Sequence, residues 1–120
     1  MTAIRNGDSD NNDATERQAD WKPMVDTPMH PEYPCAHCIV SGAVGTSLKA
    51  DLGSDPTPLL STSSPTDGGA TRTWETIDAF MQEVANARVW EGVHYRYSAE
   101  VGTDMGRQIA EQVAARFPGE

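Results

Sequence analysis

Residues 98–116 read SAEVGTDMGRQIAEQVAAR and carry the longest helical pattern in the chain. Their larger apolar side chains fall every fourth position and predict one stripe along a helix: Val101, Met105, Ile109 and Val113. Beside that stripe runs a ridge of small residues, suited to close packing against another helix: Gly102, Gly106, Ala110 and Ala114. Pro118 and Gly119 predict that the helix stops at Arg116 or Phe117.

Two further segments carry a helical pattern. Residues 35–52 contain no proline, their apolar residues recur at helical spacing, and Gly53 is suited to end the helix. Thr73 is a suitable N-cap for another helix, which Gly92 breaks after about Trp90. The stripe predicted for that helix contains aromatic and aliphatic residues: Trp74, Ile77, Phe80, Met81, Val84 and Ala85.

The rest of the chain is dominated by turn-forming residues. Residues 23–34 include four prolines, which forbid a helix there. Residues 54–72 are rich in Ser, Thr, Pro and Gly and predict a second long loop, and no segment predicts a convincing strand. The expected fold class is therefore all-α, a partial bundle of about three helices with long N-terminal and central loops. We expect an extended acidic, proline-rich arm over 1–34 and an incomplete helical part over 35–120.

The composition limits the kinds of partner that the chain can bind. The formal net charge of −9 argues against a nucleic-acid surface, which needs clustered Lys and Arg. No apolar run reaches the roughly 20 residues of a membrane span, and no signal peptide is recognisable, so the chain is expected to be soluble. With 38% hydrophobic residues the core is thin, and exposed helix faces would favour self-association.

Cys35 and Cys38 lie in a Cys-Ala-His-Cys tetrad. Two cysteines this close do not form a disulfide framework. A thioredoxin-type redox pair at a helix N-terminus and a zinc site completed by two histidines both remain open, although no βαβ pattern precedes the pair.

Two segments combine side chains that can bind a small anion. HPEYPCAHC occupies residues 30–38 and ARVWEGVHYRYS occupies 87–98. His37 is predicted at a helix N-terminus, where amides and the helix dipole favour an anion. Arg88 offers a planar fork for phosphate-like oxygens, and His94 offers an imidazole as ligand or nucleophile.

These segments resemble the motifs of the vanadium-dependent haloperoxidase and type 2 phosphatidic acid phosphatase superfamily. Pro34 to Cys38 is similar to the family's Pro-Ser-Gly-His-Ser segment, and Arg88 and His94 match its Arg-x5-His segment. HPEYP and GVHYR resemble the forms found in the haloperoxidase branch. The resemblance extends to TAIRNGD near the start, so it implies that the chain corresponds to the C-terminal half of that domain.

The resemblance implies a vanadate cofactor, or phosphate as the substrate group, and either peroxide-dependent halide oxidation or phosphoester hydrolysis. His94 would be the vanadium ligand, or the phosphohistidine of a phosphatase, and His37 the acid–base partner. Arg88 would neutralise equatorial oxygens, while the Ala36 amide and the Cys35 side chain would donate to another oxygen.

Three residues depart from the family pattern: Cys35 stands for Ser, Ala36 for Gly, and Ser98 for the Asp expected four residues after the ligand histidine. The family's first motif, a Lys followed by Arg-Pro, would lie before Met1. Two alternatives therefore stay open: a non-catalytic helical remnant or interaction module, and a CxxC thiol redox protein.

Overall fold

A computed structural model describes residues 2–7, 11–53 and 59–117. Its elements, in chain order, are α1 Thr2–Arg5, α2 Ala36–Leu52, β1 Leu60–Ser63, a 3-10 turn Pro65–Asp67, β2 Thr71–Trp74, α3 Ile77–Trp90 and α4 Arg96–Arg116. The three long helices confirm the predicted helical fold.

The tightest packing joins α2 to α4 through glycine. A Cβ added to Gly106 would collide with the carbonyl oxygen of Ile39, and one added to Gly102 would lie 2.6 Å from the Cys35 oxygen. From the other side, a Cβ on Gly42 would lie 2.5 Å from the Thr103 oxygen. The two backbones are therefore in contact. The first three residues of the predicted ridge, Gly102, Gly106 and Ala110, are buried, which confirms that part of the ridge as a packing surface. Ala114 is exposed.

The central loop contains a hairpin, so the prediction of no strand was wrong. β1 and β2 pair antiparallel, with Leu60 opposite Trp74 and Ser63 opposite Thr71. Gly68 and Gly69 turn the chain with φ angles of 58° and 81°, in the left-handed region that glycine tolerates. Short Ser/Thr strands without an alternating apolar pattern leave no clear strand signal in the sequence.

This hairpin also shifts the start of α3. Thr73 lies in β2, and Thr76 is the N-cap, accepting a 3.0 Å hydrogen bond from the Ala79 amide. The Trp74 ring packs edge-on against Phe80, with ring centroids 5.2 Å apart, and its Nε1 donates to Glu83 at 2.7 Å. Trp74, which was predicted to lie on the apolar stripe of the helix, therefore packs the hairpin against α3.

Helix α4 begins two residues before the predicted Ser98. Tyr95 is the N-cap without a side-chain capping bond. Instead, the distant Glu32 carboxylate accepts from the Tyr95 amide at 2.9 Å. A hydrogen bond from a residue distant in sequence thus takes the place of the local N-cap bond that usually marks the start of a helix. The end at Arg116 agrees with the prediction, while Pro118 and Gly119 lie outside the described residues.

Few side chains form the core, and several apolar ones remain outside it. The buried apolar side chains are small in number and size: Cys35, Cys38, Ile77, Ala85, Val93, Ala99 and Ala110. Two stripes of exposed apolar side chains remain: Val40, Val44, Leu48 and Leu52 on α2, and Met105, Ile109 and Val113 on α4, followed by Phe117 at its C-cap. In the described part of the chain, none of the helices has the length and hydropathy needed to cross a membrane.

The N-terminal arm folds back onto the loop between α3 and α4. Gly92 adopts φ 77°, and a Cβ there would lie 2.7 Å from the Trp21 ring. The Met24 amide donates to the Glu91 carbonyl at 2.9 Å. These contacts position the end of the arm, residues 30–34, beside that loop.

Candidate functional site

His94 lies on the loop between α3 and α4 and is almost fully buried, with 2% of its surface exposed. Its amide donates to the Arg88 carbonyl at 3.1 Å, directly after the Gly92 turn. The imidazole Nδ1 lies 2.5 Å from the backbone oxygen of Glu32. Both contacts fix the ring, one through its backbone and one through its side chain.

The Glu32 contact sets the tautomer of His94. A carbonyl oxygen only accepts hydrogen bonds, so Nδ1 carries the proton and donates. In the neutral ring Nε2 then holds the lone pair, and this buried Nε2 has no hydrogen-bond partner among the described residues. Ser98 stands where the family has an Asp that orients the ligand histidine. In this chain the Glu32 carbonyl orients the His94 ring instead, and the Glu32 carboxylate lies 3.5 Å from Nδ1.

Arg88 lies in the last turn of α3. Its side chain is 13% exposed, and its Nη1 donates to Glu91 at 2.6 Å. Its Nε is buried and has no partner within the described chain. A buried donor left unsatisfied costs about 1–3 kcal/mol, so this nitrogen is placed to bind a ligand or a water molecule.

His37 lies on the second residue of α2 and is exposed. Partial burial lowers the pKa of His37 below its usual value of 6.5, and so do the neighbouring Arg88, His30 and His94, whereas Glu91 opposes this shift. The neutral imidazole therefore prevails near neutral pH, and it can accept a proton there.

His30 lies near both predicted histidines. Its ring centroid is 5.7 Å from that of His94, in a stacked arrangement, and 6.1 Å from that of His37. The structure thus brings His37, Arg88 and His94 into one neighbourhood and adds His30 to them. The motif HPEYP indicated the family branch but gave His30 no role, and only the fold shows its position.

The two cysteines form a disulfide in this structure. Both are fully buried, and the Cys38 amide donates to Cys35 Sγ at 3.2 Å. In this oxidised form Cys35 has no thiol proton to donate, contrary to the expectation that its side chain donates to an oxyanion. Neither sulfur is a thiolate available to zinc, and the described residues contain no cluster of three potential metal ligands among His, Cys, Asp and Glu.

An apolar groove opens beside His37. It has a volume of about 350 Å³ and runs between α2 and α3. Its lining includes one polar ring and four apolar side chains: His37, Val40, Val44, Phe80 and Val84. Ala36, the other residue expected to bind the anion through its amide, also lines this groove at the first position of α2.

Three residues that sequence reasoning assigned no role contribute to this site. His30 stacks on His94, Glu32 fixes its tautomer, and Glu91 pairs with Arg88. The first two belong to the quoted HPEYP segment, whereas Glu91 carried no separate signal. Within the described residues, two buried side-chain nitrogens lack a hydrogen-bond partner, Nε of Arg88 and Nε2 of His94.

The chain matches the family described as "VCPO second helical-bundle domain" over residues 1–118. It is similar to the crystal structure of the first bacterial vanadium-dependent iodoperoxidase, with 30% identity and a TM-score of 0.71 over 82% of this chain and 24% of that one. No curated protein sequence is significantly similar to it.

Two bacterial vanadium-dependent chloroperoxidase structures share the fold. The holo form is 22% identical, with a TM-score of 0.64 over 86% of this chain and 25% of that one. The apo form is 21% identical, with a TM-score of 0.63 over 79% of this chain and 23% of that one. The chain thus spans about a quarter of the length of each of these solved structures. The match over residues 1–118 places this chain in the family of the VCPO second helical-bundle domain.

Proposed function

We propose that this chain supplies the histidine side of a vanadate-binding site for haloperoxidase chemistry. The observation that carries the proposal is His94, a buried imidazole held at Nδ1 by Glu32 while its Nε2 has no partner in the described chain. A neutral histidine fixed in this way is ready to act as a ligand through Nε2.

Arg88 is the second member of the proposed site. Its Nε is buried and has no partner among the residues that the structure describes, and it would donate to an oxygen of the bound vanadate. The amide of Ala36, at the N-terminus of α2, would donate to another oxygen, because first-turn amides have no partner within their own helix. Vanadium, when bound, supplies the Lewis acidity that activates peroxide toward halide oxidation.

His37 is proposed as the acid–base residue. Its lowered pKa keeps the ring neutral near pH 7, so it can take a proton from an incoming peroxide and release it again. The ring is exposed and lines the apolar groove, so it can exchange protons with solvent. The likeness to the iodoperoxidase favours halide oxidation over the phosphoester hydrolysis that the same residue set would allow.

Vanadate titration, followed by vanadium-51 NMR, tests the proposed ligand. We expect weak binding to the 120-residue chain, because its net charge of −9 opposes an anion, and loss of that binding in His94→Ala and in the more conservative His94→Gln. Circular dichroism would establish that each variant keeps its helices. Unchanged vanadate affinity in a folded variant would refute the assignment of His94.

Arginine variants provide a matched test of the anion-binding role. Arg88→Ala should weaken vanadate binding roughly tenfold or more, the effect of losing a charged hydrogen bond. Arg107→Ala removes an exposed arginine of α4 that pairs with Asp104 and Glu111, and it should leave affinity unchanged. Equal losses in both variants would show that overall charge, rather than the site, governs binding.

A further inference from the structure

Glu91 occupies a position that the helix dipole disfavours. It is the C-cap of α3, with helical backbone angles of φ −64° and ψ −17°. The carbonyl end of a helix carries partial negative charge, which repels a carboxylate. A glutamate placed there needs a compensating cation, and Arg88, one turn earlier, is that cation.

The pair is partly withdrawn from solvent. Arg88 is 13% exposed and Glu91 is 32% exposed, and Nη1 lies 2.6 Å from Oε2. A buried guanidinium without a counter-charge is strongly disfavoured, so Arg88 depends on this carboxylate at its present location. Both charges influence the pKa of His37, Arg88 lowering and Glu91 raising it, which places the pair beside that histidine.

The guanidinium uses different nitrogens for different contacts. Nη1 is engaged by Glu91, whereas Nε is buried without a partner in the described chain. Because the guanidinium is planar and rigid, holding Nη1 also fixes the direction of Nε. We propose that Glu91 is a positioning residue, which holds Arg88 so that its Nε is presented to the anion; this inference rests on the proposed vanadate site.

The backbone around Glu91 allows the side chain to be tested separately. Its carbonyl accepts from the Met24 amide at 2.9 Å, and its amide donates to the Ala87 carbonyl at 2.8 Å. Neither bond uses the carboxylate, so a substitution at this position removes the contact to Arg88 and leaves both bonds in place.

The experiment compares Glu91→Ala with Glu91→Gln in the 120-residue chain, with orthovanadate as the probe. The amide oxygen of Gln can still accept from Nη1, whereas Ala offers nothing. We expect Glu91→Ala to weaken vanadate binding roughly tenfold, and Glu91→Gln, which keeps the hydrogen bond but not the counter-charge, to restore part of that affinity. Glu83→Ala is the matched control, since Glu83 pairs with Arg72 and Trp74 away from the site.

A second readout requires no ligand. Nitrogen-15 relaxation of the Arg88 Nε–Hε group should show a rigid guanidinium in the wild type and in Glu91→Gln, and a mobile one in Glu91→Ala. The proposal would be overturned if the Arg88 guanidinium were as rigid in Glu91→Ala as in the wild type. It would also be overturned if the wild type bound vanadate and Glu91→Ala bound it with the same affinity. If the wild type binds no vanadate, the proposed function fails. If the wild type binds vanadate and Glu91→Ala binds it equally well, only the role of Glu91 fails.

Discussion

The inner and outer faces of the α2–α4 pair differ in residue size and in burial. On the inner face, Gly42, Gly102 and Gly106 bring the two backbones into contact. On the outer face, the larger side chains stay in solvent, with Ile109 47% and Val113 48% exposed. The more hydrophobic stripe is therefore not the packed one. Close backbone approach, rather than side-chain volume, determines which face of these helices is buried.

The largest expected effect comes from adding volume to the inner face. Gly106→Leu would drive a side chain into the Ile39 carbonyl, which cannot move without displacing α2. We expect a loss of about 3 kcal/mol or more in the free energy of unfolding, measured by urea denaturation followed by circular dichroism. Ala115→Leu, on the exposed surface of the same helix, should leave stability nearly unchanged. Similar stability of the two variants would show that the glycine contact is dispensable.

A smaller effect is expected from the disulfide at the same inner face. Reduction opens the Cys35–Cys38 link, whose short loop contributes about 2 kcal/mol by loop entropy alone. The unfolding midpoint of the wild type should fall in excess reductant. The double variant Cys35→Ala/Cys38→Ala should not respond to reductant, and an unresponsive wild type would exclude a stabilising disulfide.

His37, on the outer side of the first turn of α2, should give a pH effect. Its pKa is lowered in the folded chain, so the unfolded chain takes up a proton first as the pH falls. Its contribution to stability is complete above its usual pKa of 6.5 and declines as the pH falls from there through its lower folded pKa. His37→Asn should flatten the pH dependence of unfolding in that range. An NMR titration placing the pKa of His37 at or above 6.5 would contradict this prediction.

The smallest change in stability is expected on the outer stripe of α4. Ile109→Ser and Val113→Ser remove side chains that are about half exposed, so each should shift the free energy of unfolding by about 0.5 kcal/mol or less. If the stripe mediates self-association, sedimentation velocity should show the double variant more monomeric than the wild type. A stability loss as large as that of Gly106→Leu would reverse the assignment of inner and outer faces.

Much of the helical framework could be predicted from local sequence. Helix α2 has no internal proline and ends at Gly53, and α3 ends at Trp90 before Gly92, as predicted. The hairpin could not be predicted, because residues 60–63 and 71–74 are short and mostly polar, without the alternation that marks a half-buried strand. The start of α4 was also missed, since Glu32, distant in sequence, binds its first free amide.

The sequence by itself determined which residue types are available for an anion site, because an imidazole and a guanidinium have their chemistry wherever the chain places them. His37, Arg88 and His94 were identified in this way. Only the tertiary structure decided the proton on His94 Nδ1, the place of His30 near the other two rings and the pairing of Glu91 with Arg88. The physical reason is that tautomer, burial and ion pairing depend on neighbours as far away as Glu32, 62 residues from His94, and local sequence does not specify those neighbours.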